Sequence, residues 1–216
     1  MRDQDRYRAE ILDAVRAKRG YLLSYHRLLA ADDPDLLKVY DQLYTRITLD
    51  KRVLSDRRKE LVWLALLSAR EEPTGRIHVE RAQKAGLTSA EMADALTLAA
   101  VMRGYYSVAF VTEHWFEGIS PVDAEARYLT VAKAARGHID AATAEIICVI
   151  VHAALRQWDA IPMHLKRAFD AGVLVSEMRE AFSFLLLPCG GNHFIHAVEA
   201  WEAAAGAGGL PSPYAE

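Results

Sequence analysis

The chain has 216 residues and a formal net charge of -3, and its composition is 52% hydrophobic and 25% charged. Acidic and basic residues are interspersed and form no basic stripe that could neutralise a phosphate backbone, which excludes nucleic acid as an expected partner. The apolar stretches 61–69 and 182–189 are shorter than the roughly 18 residues of a membrane span, and the charged N-terminus lacks a secretory signal. We therefore expect a cytoplasmic, single-domain protein, with no membrane segment and with excess apolar surface that forms a homo-oligomer interface.

The first helices are predicted from the spacing of apolar residues. Residues 3–30 carry apolar side chains at helical intervals and are predicted to form one helix. Asp33 then caps a second helix with Pro34 at its first position, and apolar residues recur to about Thr45. These helices form an N-terminal helical extension over residues 1–53.

The following part of the chain contains an internal repeat. When the sequence is compared with itself at an offset of 86 residues, residues 54–115 align with residues 140–201 without gaps. Each copy is predicted to contain a long apolar helix, a short helix carrying histidine, a third helix, and a fourth helix entered through glycine. Identical residues recur along the whole alignment: Arg70/Arg156, His78/His164, Arg81/Arg167, Gly86/Gly172, Glu91/Glu177, Gly104/Gly190 and Trp115/Trp201.

The helix boundaries of this repeat have local signals. Gly86 and Gly172 stand where a helix is expected to end in a left-handed residue, and Thr88 with Glu91 forms a capping box. Between the copies, residues 116–139 are predicted to contain a linker helix. The tail, 202–216, is rich in glycine, alanine and proline and is predicted to be flexible. No segment predicts a strand, so the fold class is all-α, with two tandem diverged repeats after an N-terminal extension.

Two repeated segments carry a resemblance to a known family. They read IPMHLKRAFDAGVLVSEMREA at 161–181 and GRIHVERAQKAGLTSAEMADA at 75–95, and they follow DPDLLKVYDQLYTRI at 33–47 and LSDRRKELVWLAL at 54–66. This pattern resembles the carboxymuconolactone decarboxylase and alkylhydroperoxidase D (AhpD-like) superfamily. The resemblance implies an AhpD-like helical fold and a trimeric or hexameric assembly with active sites between helices near subunit interfaces.

The second copy lacks the cysteine pair of the thiol-peroxidase branch of that superfamily. In that branch, a glutamate precedes a CxxC pair and a histidine; counted back from His164, these positions hold Glu145, Gln157 and Ala160. A thiolate is the nucleophile of a disulfide relay, and neither glutamine nor alanine provides one. The resemblance therefore favours the non-thiol side of the superfamily.

The first copy matches that branch only at its histidine. Counted back from His78, the same positions hold Lys59, Glu71 and Thr74. His78 is therefore interpreted as a structural contact, and whether the first copy keeps a site is left open. The arginines that recur in both copies are interpreted as ion pairs of the scaffold.

We assign His164 and Glu145 as the candidate catalytic residues of a lyase. The pKa of histidine lies near the working pH, so His164 suits general acid or base catalysis, and Glu145 would orient it or share its proton. The expected reaction is decarboxylase-like, acts on a small carboxylated or lactone substrate, and requires no cofactor. The alternative reading of His164 is a helix contact of the fold.

Further polar residues of the second copy are candidate substrate-binding residues. They are Asn192, His193, His196, His152 and Trp158. His193 and His196 share a helix face, and His152 lies on the same helix face as Glu145. If these faces converge on His164, they form a proton-handling pocket, the reading we favour, or a site for zinc, iron or nickel. Otherwise the two neighbouring histidines are partly exposed interface residues.

Three other functions remain open from the sequence. The chain has only two cysteines, Cys148 and Cys189, both expected to be reduced, and one of them could serve a residual thiol peroxidase. A metal-dependent enzyme of the same fold is the second alternative. A non-catalytic oligomeric binding protein is the third, because a fold does not dictate a function.

Overall fold

A computed structural model describes residues 2–115, 118 and 120–216, and among these all regular secondary structure is helical. The predicted all-α fold class is confirmed. The chain divides into two compact units, residues 1–50 and 51–216. The division lies close to the predicted end of the N-terminal extension at residue 53.

The α-helices are numbered in chain order. They are α1 (Arg2–Arg19), α2 (Ser24–Asp32), α3 (Pro34–Tyr44), α4 (Asp56–Ala69), α5 (Arg76–Lys84), α6 (Ser89–Arg103), α7 (Tyr105–His114), α8 (Pro121–Ala135), α9 (Ala141–Ala154), α10 (Ile161–Asp170), α11 (Val175–Ser183) and α12 (Gly191–Gly206). A π-helical turn follows α3, and 3-10 turns precede α5, precede α10 and follow α11.

The N-terminal unit corrects the prediction of a single helix over 3–30. The chain breaks after α1 at Gly20, whose φ of 81° is left-handed and whose N–H donates to the carbonyl of Arg16 at 2.8 Å. Glycine adopts this conformation without a steric penalty, so the helix ends there. The predicted cap of α3 is confirmed, because the Asp33 carboxylate accepts from two backbone N–H groups and Pro34 is the first helical residue.

A buried arginine holds the N-terminal unit together. The side chain of Arg19 is 0% exposed, and its Nε and Nη2 donate to Oδ1 of Asp41 at 2.9 and 2.7 Å. Its guanidinium also lies 3.7 Å from the centroid of the Tyr44 ring and bonds the Tyr25 hydroxyl and His26. Asp41 is therefore the counter-charge of a cation that has no access to water.

We predict that Asp41→Asn strongly destabilises the N-terminal unit. The substitution leaves the guanidinium of Arg19 buried without a counter-charge, which costs roughly 3 kcal/mol or more. Hydrogen exchange of the amides in α1 to α3 would measure the loss. Asp32→Asn, at an exposed carboxylate outside this cluster, is the control and should leave exchange unchanged. Equal exchange in the two variants would contradict the assigned role of Asp41.

In the second unit, the predicted repeat appears helix by helix. The first copy contributes α4 to α7 and the second contributes α9 to α12, each with a 3-10 turn before its histidine helix. Gly86 and Gly172 have φ values of 81° and 84°, which confirms the predicted left-handed ends. The capping box of Thr88 and Glu91 is also confirmed, with reciprocal hydrogen bonds of 2.9 and 3.2 Å.

The core of this unit is built around the first helix of each copy. α4 and α9 pack against each other and against α6, while α10 packs on α9 and α5 on α4. Every residue of α9 from Thr143 to Ala154 is buried. Arg58 on α4 connects the two copies by hydrogen bonds to Thr143 and Glu177 at 2.8 and 2.5 Å. A polar side chain on α9 must therefore find its partners inside the protein.

The segments between and after the copies differ in part from the predictions. α8 occupies most of the predicted linker 116–139, whose residues 116, 117 and 119 lie outside the described residues. α12 continues to Gly206, into the tail that is predicted to be flexible, and the indole Nε1 of Trp201 donates to the Pro211 carbonyl at 2.9 Å. Trp201 is 1% exposed, so this hydrogen bond is made by a core residue.

One apolar segment bears on the expectation that the chain has no membrane span. By length and composition alone, Ser89–His114 is long and apolar enough to cross a membrane, with a mean hydropathy of 1.2. It comprises α6 and α7, separated at Gly104. The α6 part buries Leu98 and Met102 against α4 and α9, and core helices of folded proteins pass the same test.

Candidate functional site

The candidate site starts from two polar residues, Glu145 and His152, on the largely apolar helix α9. Glu145 and His152 lie seven residues apart, about two helical turns, and so point to the same side of the helix. His152 is 0% exposed and Glu145 is 9% exposed. Both side chains therefore need protein partners.

Helix α10 supplies the partners of Glu145. Nδ1 of His164 lies 2.7 Å from Oε2 of Glu145, and Nε of Arg167 donates to Oε1 at 2.7 Å. The three-residue spacing of His164 and Arg167 places both on the face of α10 that packs against α9. One oxygen of Glu145 thus accepts from Arg167, and the other is paired with His164.

Tyr128 on α8 connects the two histidines. Its hydroxyl lies 2.9 Å from Nε2 of His164 and 2.7 Å from Nε2 of His152, and the two imidazole rings stack with centroids 5.0 Å apart. Nδ1 of His152 contacts Oε1 of Gln157 at 2.6 Å. We call the resulting series the buried network; in order, it consists of Arg167, Glu145, His164, Tyr128, His152 and Gln157.

The low polarity around the buried network changes its protonation. Burial, with a smaller contribution from the charge that His164 can carry, lowers the pKa of His152 to about 3, so this imidazole stays neutral. Burial raises the pKa of the Tyr128 hydroxyl far above its ordinary value. Tyr128 therefore holds its proton and passes it only in exchange for another.

The neutral state of His152 predicts how stability depends on pH. Between about pH 6.5 and pH 3, the unfolded chain binds a proton on this imidazole that the folded protein excludes, so stability falls as the pH falls through this range. The slope from this group is at most about 1.4 kcal/mol per pH unit. Urea unfolding at about pH 7 and about pH 5 should show a shallower dependence for His152→Phe than for the unchanged protein.

Met102→Leu is the control for this slope, since it changes a buried side chain beside Tyr128 and removes no titratable group. It should leave the pH dependence as it is. A slope that His152→Phe does not reduce would mean that His152 accepts a proton in the folded protein.

An apolar groove lies beside the buried network. It has a volume of about 510 Å³ and runs between α6, α7 and α8, and Tyr128 is the member of the network that lines it. Its other lining residues are Ala100, Val101, Gly104, Ser107, Val108, Val111, Ala124, Arg127 and Val131. Arg127 gives this groove a positive charge next to Tyr128.

Most of the predicted substrate-binding residues lie elsewhere. Trp158 contacts the rings of His193 and His196 at centroid distances of 6.3 and 6.0 Å, and Asn192 is exposed. Among the described residues, no hydrogen bond or ring contact joins these four to His164. Only His152 of the predicted set enters the buried network, because it lies on α9 whereas the other histidines lie on α12.

The two cysteines are poor thiolate sources. Cys148 is 2% exposed, and burial raises the pKa of its thiol well above the ordinary value. Burial also raises the pKa of the Cys189 thiol to about 11. Both cysteines are free, and near neutral pH both hold their protons.

Three groups at this site could approach a metal ion. Ligand atoms of Glu145, Cys148 and His164 lie within 4.8 Å of one another. However, both nitrogens of His164 are already hydrogen-bonded, to Glu145 and to Tyr128. Binding a metal here would break one of these bonds and would deprotonate a fully buried thiol.

Comparison with known proteins identifies the family. The sequence pattern of the carboxymuconolactone decarboxylase family matches residues 34–113 and 123–203. The chain belongs to the carboxymuconolactone decarboxylase family. No curated protein sequence matches it significantly. The two matched ranges confirm the resemblance and the internal repeat, and each includes the helix that precedes the repeat found by the 86-residue offset.

The first copy of this family pattern has its own histidine–carboxylate pair. Nδ1 of His78 lies 2.7 Å from Oε2 of Glu60, so the prediction that the first copy matches only at its histidine is wrong in this respect. The offset placed Lys59 at the glutamate position, and the carboxylate stands one residue later. The indole of Trp63 stacks on His78 with ring centroids 4.9 Å apart, as the imidazole of His152 stacks on His164 in the second copy.

Sequence reasoning missed three members of the buried network. Tyr128 was only part of a predicted linker helix, Arg167 was read as a scaffold residue, and Gln157 was noted only where a cysteine is absent. For Arg167, its recurrence three residues after the histidine in both copies was a usable signal. For Tyr128 there was none, because its contacts depend on how α8 packs.

Proposed function

We propose that this member of the carboxymuconolactone decarboxylase family is a cofactor-independent, decarboxylase-like lyase acting by acid–base chemistry. The proposed substrate is a small carboxylated compound or lactone. The observation that supports this proposal best is Tyr128, which is among the residues that line the groove and whose hydroxyl is hydrogen-bonded to His164. Proton-transfer groups are thus next to a space of small-molecule size.

The groove supports binding of an organic acid. Its lining is mostly apolar, which suits a small carbon skeleton, and Arg127 lies next to Tyr128 in sequence and in the lining. A guanidinium binds a carboxylate with two parallel hydrogen bonds. In the proposed complex, Arg127 holds a carboxylate of the substrate and orients its reacting carbon toward Tyr128.

The proposed reaction consumes one proton for each carbon dioxide released. Cleavage of the carbon–carboxylate bond leaves its electron pair on the substrate as an enolate-like anion. Tyr128 donates its hydroxyl proton to that carbon and takes a proton from His164, and His164 is then reprotonated from solvent. Glu145 stabilises the imidazolium form of His164, and the side chain of Arg167, 40% exposed, marks the end of the network nearest to water.

The other candidate functions have less support. A thiol peroxidase needs a thiolate near neutral pH, and the raised pKa values of Cys148 and Cys189 disfavour it. A metal-dependent enzyme would have to break a hydrogen bond of His164. Burying polar groups costs free energy, and a non-catalytic binding function gives no reason for two buried imidazoles to share one hydroxyl.

We predict that His164→Gln lowers turnover by roughly 100- to 10,000-fold, the usual contribution of a general acid or base. Release of labelled carbon dioxide from a panel of small carboxylated lactones and organic acids would measure it. Glutamine keeps one hydrogen bond at this position but cannot carry a proton.

The matched control is His78→Gln in the first copy. His78 has the same carboxylate contact and a similar burial but is not connected to Tyr128. It should affect folding stability and leave turnover near that of the unchanged protein. Equal turnover in the two variants, with both proteins folded, would remove His164 from the reaction.

We also propose that the protein is a homo-oligomer, either a trimer or a hexamer. Helix α7 has no buried residue, although its sequence is largely apolar. Tyr106 and Phe110 are 56% and 49% exposed, and Trp115 just beyond the helix is 58% exposed. An apolar surface of this kind is typical of a subunit interface.

We expect Phe110→Asp to weaken the assembly. A carboxylate buried in an apolar interface loses its hydration and gains no hydrogen bond or ion pair in return, which destabilises the assembly. Analytical ultracentrifugation should then show a smaller species, with the helical circular dichroism unchanged. Val122→Asp, at an exposed apolar residue on α8, is the control. An unchanged mass for Phe110→Asp would exclude this face of α7 from the interface.

A further inference from the structure

We infer that Gln157 and His152 are positioning residues that set the proton state of His164 through the hydroxyl of Tyr128. This inference rests on the proposed acid–base function of His164 and deepens it. Its basis is that Tyr128 has one hydroxyl proton and two imidazole neighbours, at 2.7 and 2.9 Å. The hydroxyl can donate to only one of them, and when it does so the other imidazole is left to donate to it.

In the arrangement that the structure shows, the donors follow one direction. Oε1 of Gln157 faces Nδ1 of His152, so Nδ1 carries the proton and Nε2 of this neutral ring is an acceptor. Tyr128 therefore donates to His152 and accepts from Nε2 of His164. With Nδ1 of His164 donating to Glu145 as well, this direction of donors corresponds to the imidazolium form of His164.

Loss of one proton from His164 reverses each donor between Nε2 of His164 and the amide of Gln157, and leaves the two hydrogen bonds to Glu145 as they are. Neutral His164 keeps its proton on Nδ1 for Glu145, so Nε2 becomes an acceptor and Tyr128 turns its hydroxyl proton toward it. His152 must then donate from Nε2, and its Nδ1 becomes an acceptor. The amide of Gln157 completes the change by rotating its NH₂ group toward Nδ1. The imidazolium state has one proton more than the neutral state.

The surroundings of Gln157 suit this role. Its amide nitrogen is buried and has no hydrogen-bond partner among the described residues, so it is available to donate after rotation. Its backbone N–H donates to the carbonyl of His152 at 3.0 Å, after Arg156 adopts a left-handed φ of 63°. The same turn ends α4 in the first copy, where Glu71 has a left-handed φ of 55°, so it is a feature of this helix end that fixes the direction of Gln157 toward His152.

Other groups around the two imidazoles do not provide an alternative route between them. From α9, Glu145 and Cys148 face the site, and from α10, Arg167 does so through Glu145. From α7, Tyr105 contacts the rings of Tyr128 and His152, but its hydroxyl bonds Asp159.

On α6, the thioether of Met102 lies 2.8 Å from the Tyr128 hydroxyl. It is a weaker acceptor than an imidazole nitrogen, so it does not hold the proton of Tyr128. Among the described residues, the Tyr128 hydroxyl is thus the hydrogen-bonded connection from His152 to His164.

The first experiment uses the unchanged protein and nitrogen-15 NMR of its histidine rings as a function of pH. As His164 passes from imidazolium to neutral, His152 should change from the Nδ1–H to the Nε2–H tautomer. The two changes should have the same pH midpoint, and His152 should not gain a second proton. A His152 ring that keeps one tautomer while His164 titrates would overturn the inference.

The second experiment replaces Gln157 by methionine, which is similar in length and cannot hydrogen-bond strongly. An unpartnered Nδ1–H is less favourable than an unpartnered Nδ1 lone pair, so His152 should keep its proton on Nε2 and favour neutral His164. The titration midpoint of His164 should fall by about one pH unit, a roughly tenfold loss of proton affinity. An unchanged midpoint would contradict the inference.

A double-variant comparison separates coupling through Tyr128 from a general effect of packing. In a Tyr128→Phe background, Gln157→Met should no longer move the midpoint of His164. Met102→Leu is the control background, because it removes the thioether contact and keeps the hydroxyl, and the shift should persist there. A shift that survives in Tyr128→Phe would show that the effect does not pass through the hydroxyl and would overturn the inference.

The NMR experiments test the positioning role of Gln157, and the turnover assays test the lyase proposal, so each proposal can be contradicted without the other. If His164→Gln keeps full turnover while the tautomer of His152 follows His164, the lyase proposal is wrong and the positioning role of Gln157 stands. If His164→Gln is inactive while His152 keeps one tautomer, the lyase proposal stands and the positioning role of Gln157 is wrong.

Discussion

The two hydrogen bonds that Glu145 accepts are the constraint on which the rest of the site depends. Helix α9 is buried along almost its whole length, so a carboxylate on it is stable only if donors compensate for the water it loses. Arg167 and His164 provide them from one face of α10. That requirement fixes how α10 packs on α9 and leaves Nε2 of His164 directed away from Glu145. The free side of the imidazole then needs a partner of its own, and α8 provides it with a tyrosine rather than an apolar residue.

The two copies of the repeat solve the same burial problem with different chemistry. Both bury a histidine against a carboxylate, yet the first covers its imidazole with the indole of Trp63 and the second with the imidazole of His152. The indole nitrogen of Trp63 has no hydrogen-bond partner among the described residues, whereas the imidazole of His152 and the phenol of Tyr128 extend the hydrogen bonding of His164. A repeat needs both copies to complete its core, so the first copy can keep the scaffold while the second diverges.

The sequence predicts the helices better than it predicts the site, for physical reasons. Left-handed glycines and capping residues act within one turn of helix, and Gly86, Gly172 and Thr88 could be read directly. The pairing of His164 with Glu145 follows from the family pattern. Gly20 was missed because apolar spacing continues past it, although glycine after basic residues is a signal for a helix end. Glu60 was missed because a strict offset tolerates no one-residue shift. Tyr128 comes from a helix outside the aligned copies, so only tertiary packing brings it to His164.

The position of Gln157 explains how a fold associated with thiol chemistry can serve proton transfer instead. In the pattern of the thiol-peroxidase branch, Gln157 and Ala160 occupy the places of the two cysteines. The glutamine is 2% exposed and its amide bonds His152, so the space of the first thiol is filled by a group that can donate or accept but cannot be oxidised. A primary amide offers both roles through rotation about a single bond. A carboxylate at this position would fix the arrangement in which His152 donates from Nδ1, and an aliphatic residue would disfavour that arrangement. Glutamine therefore keeps both proton states of His164 accessible.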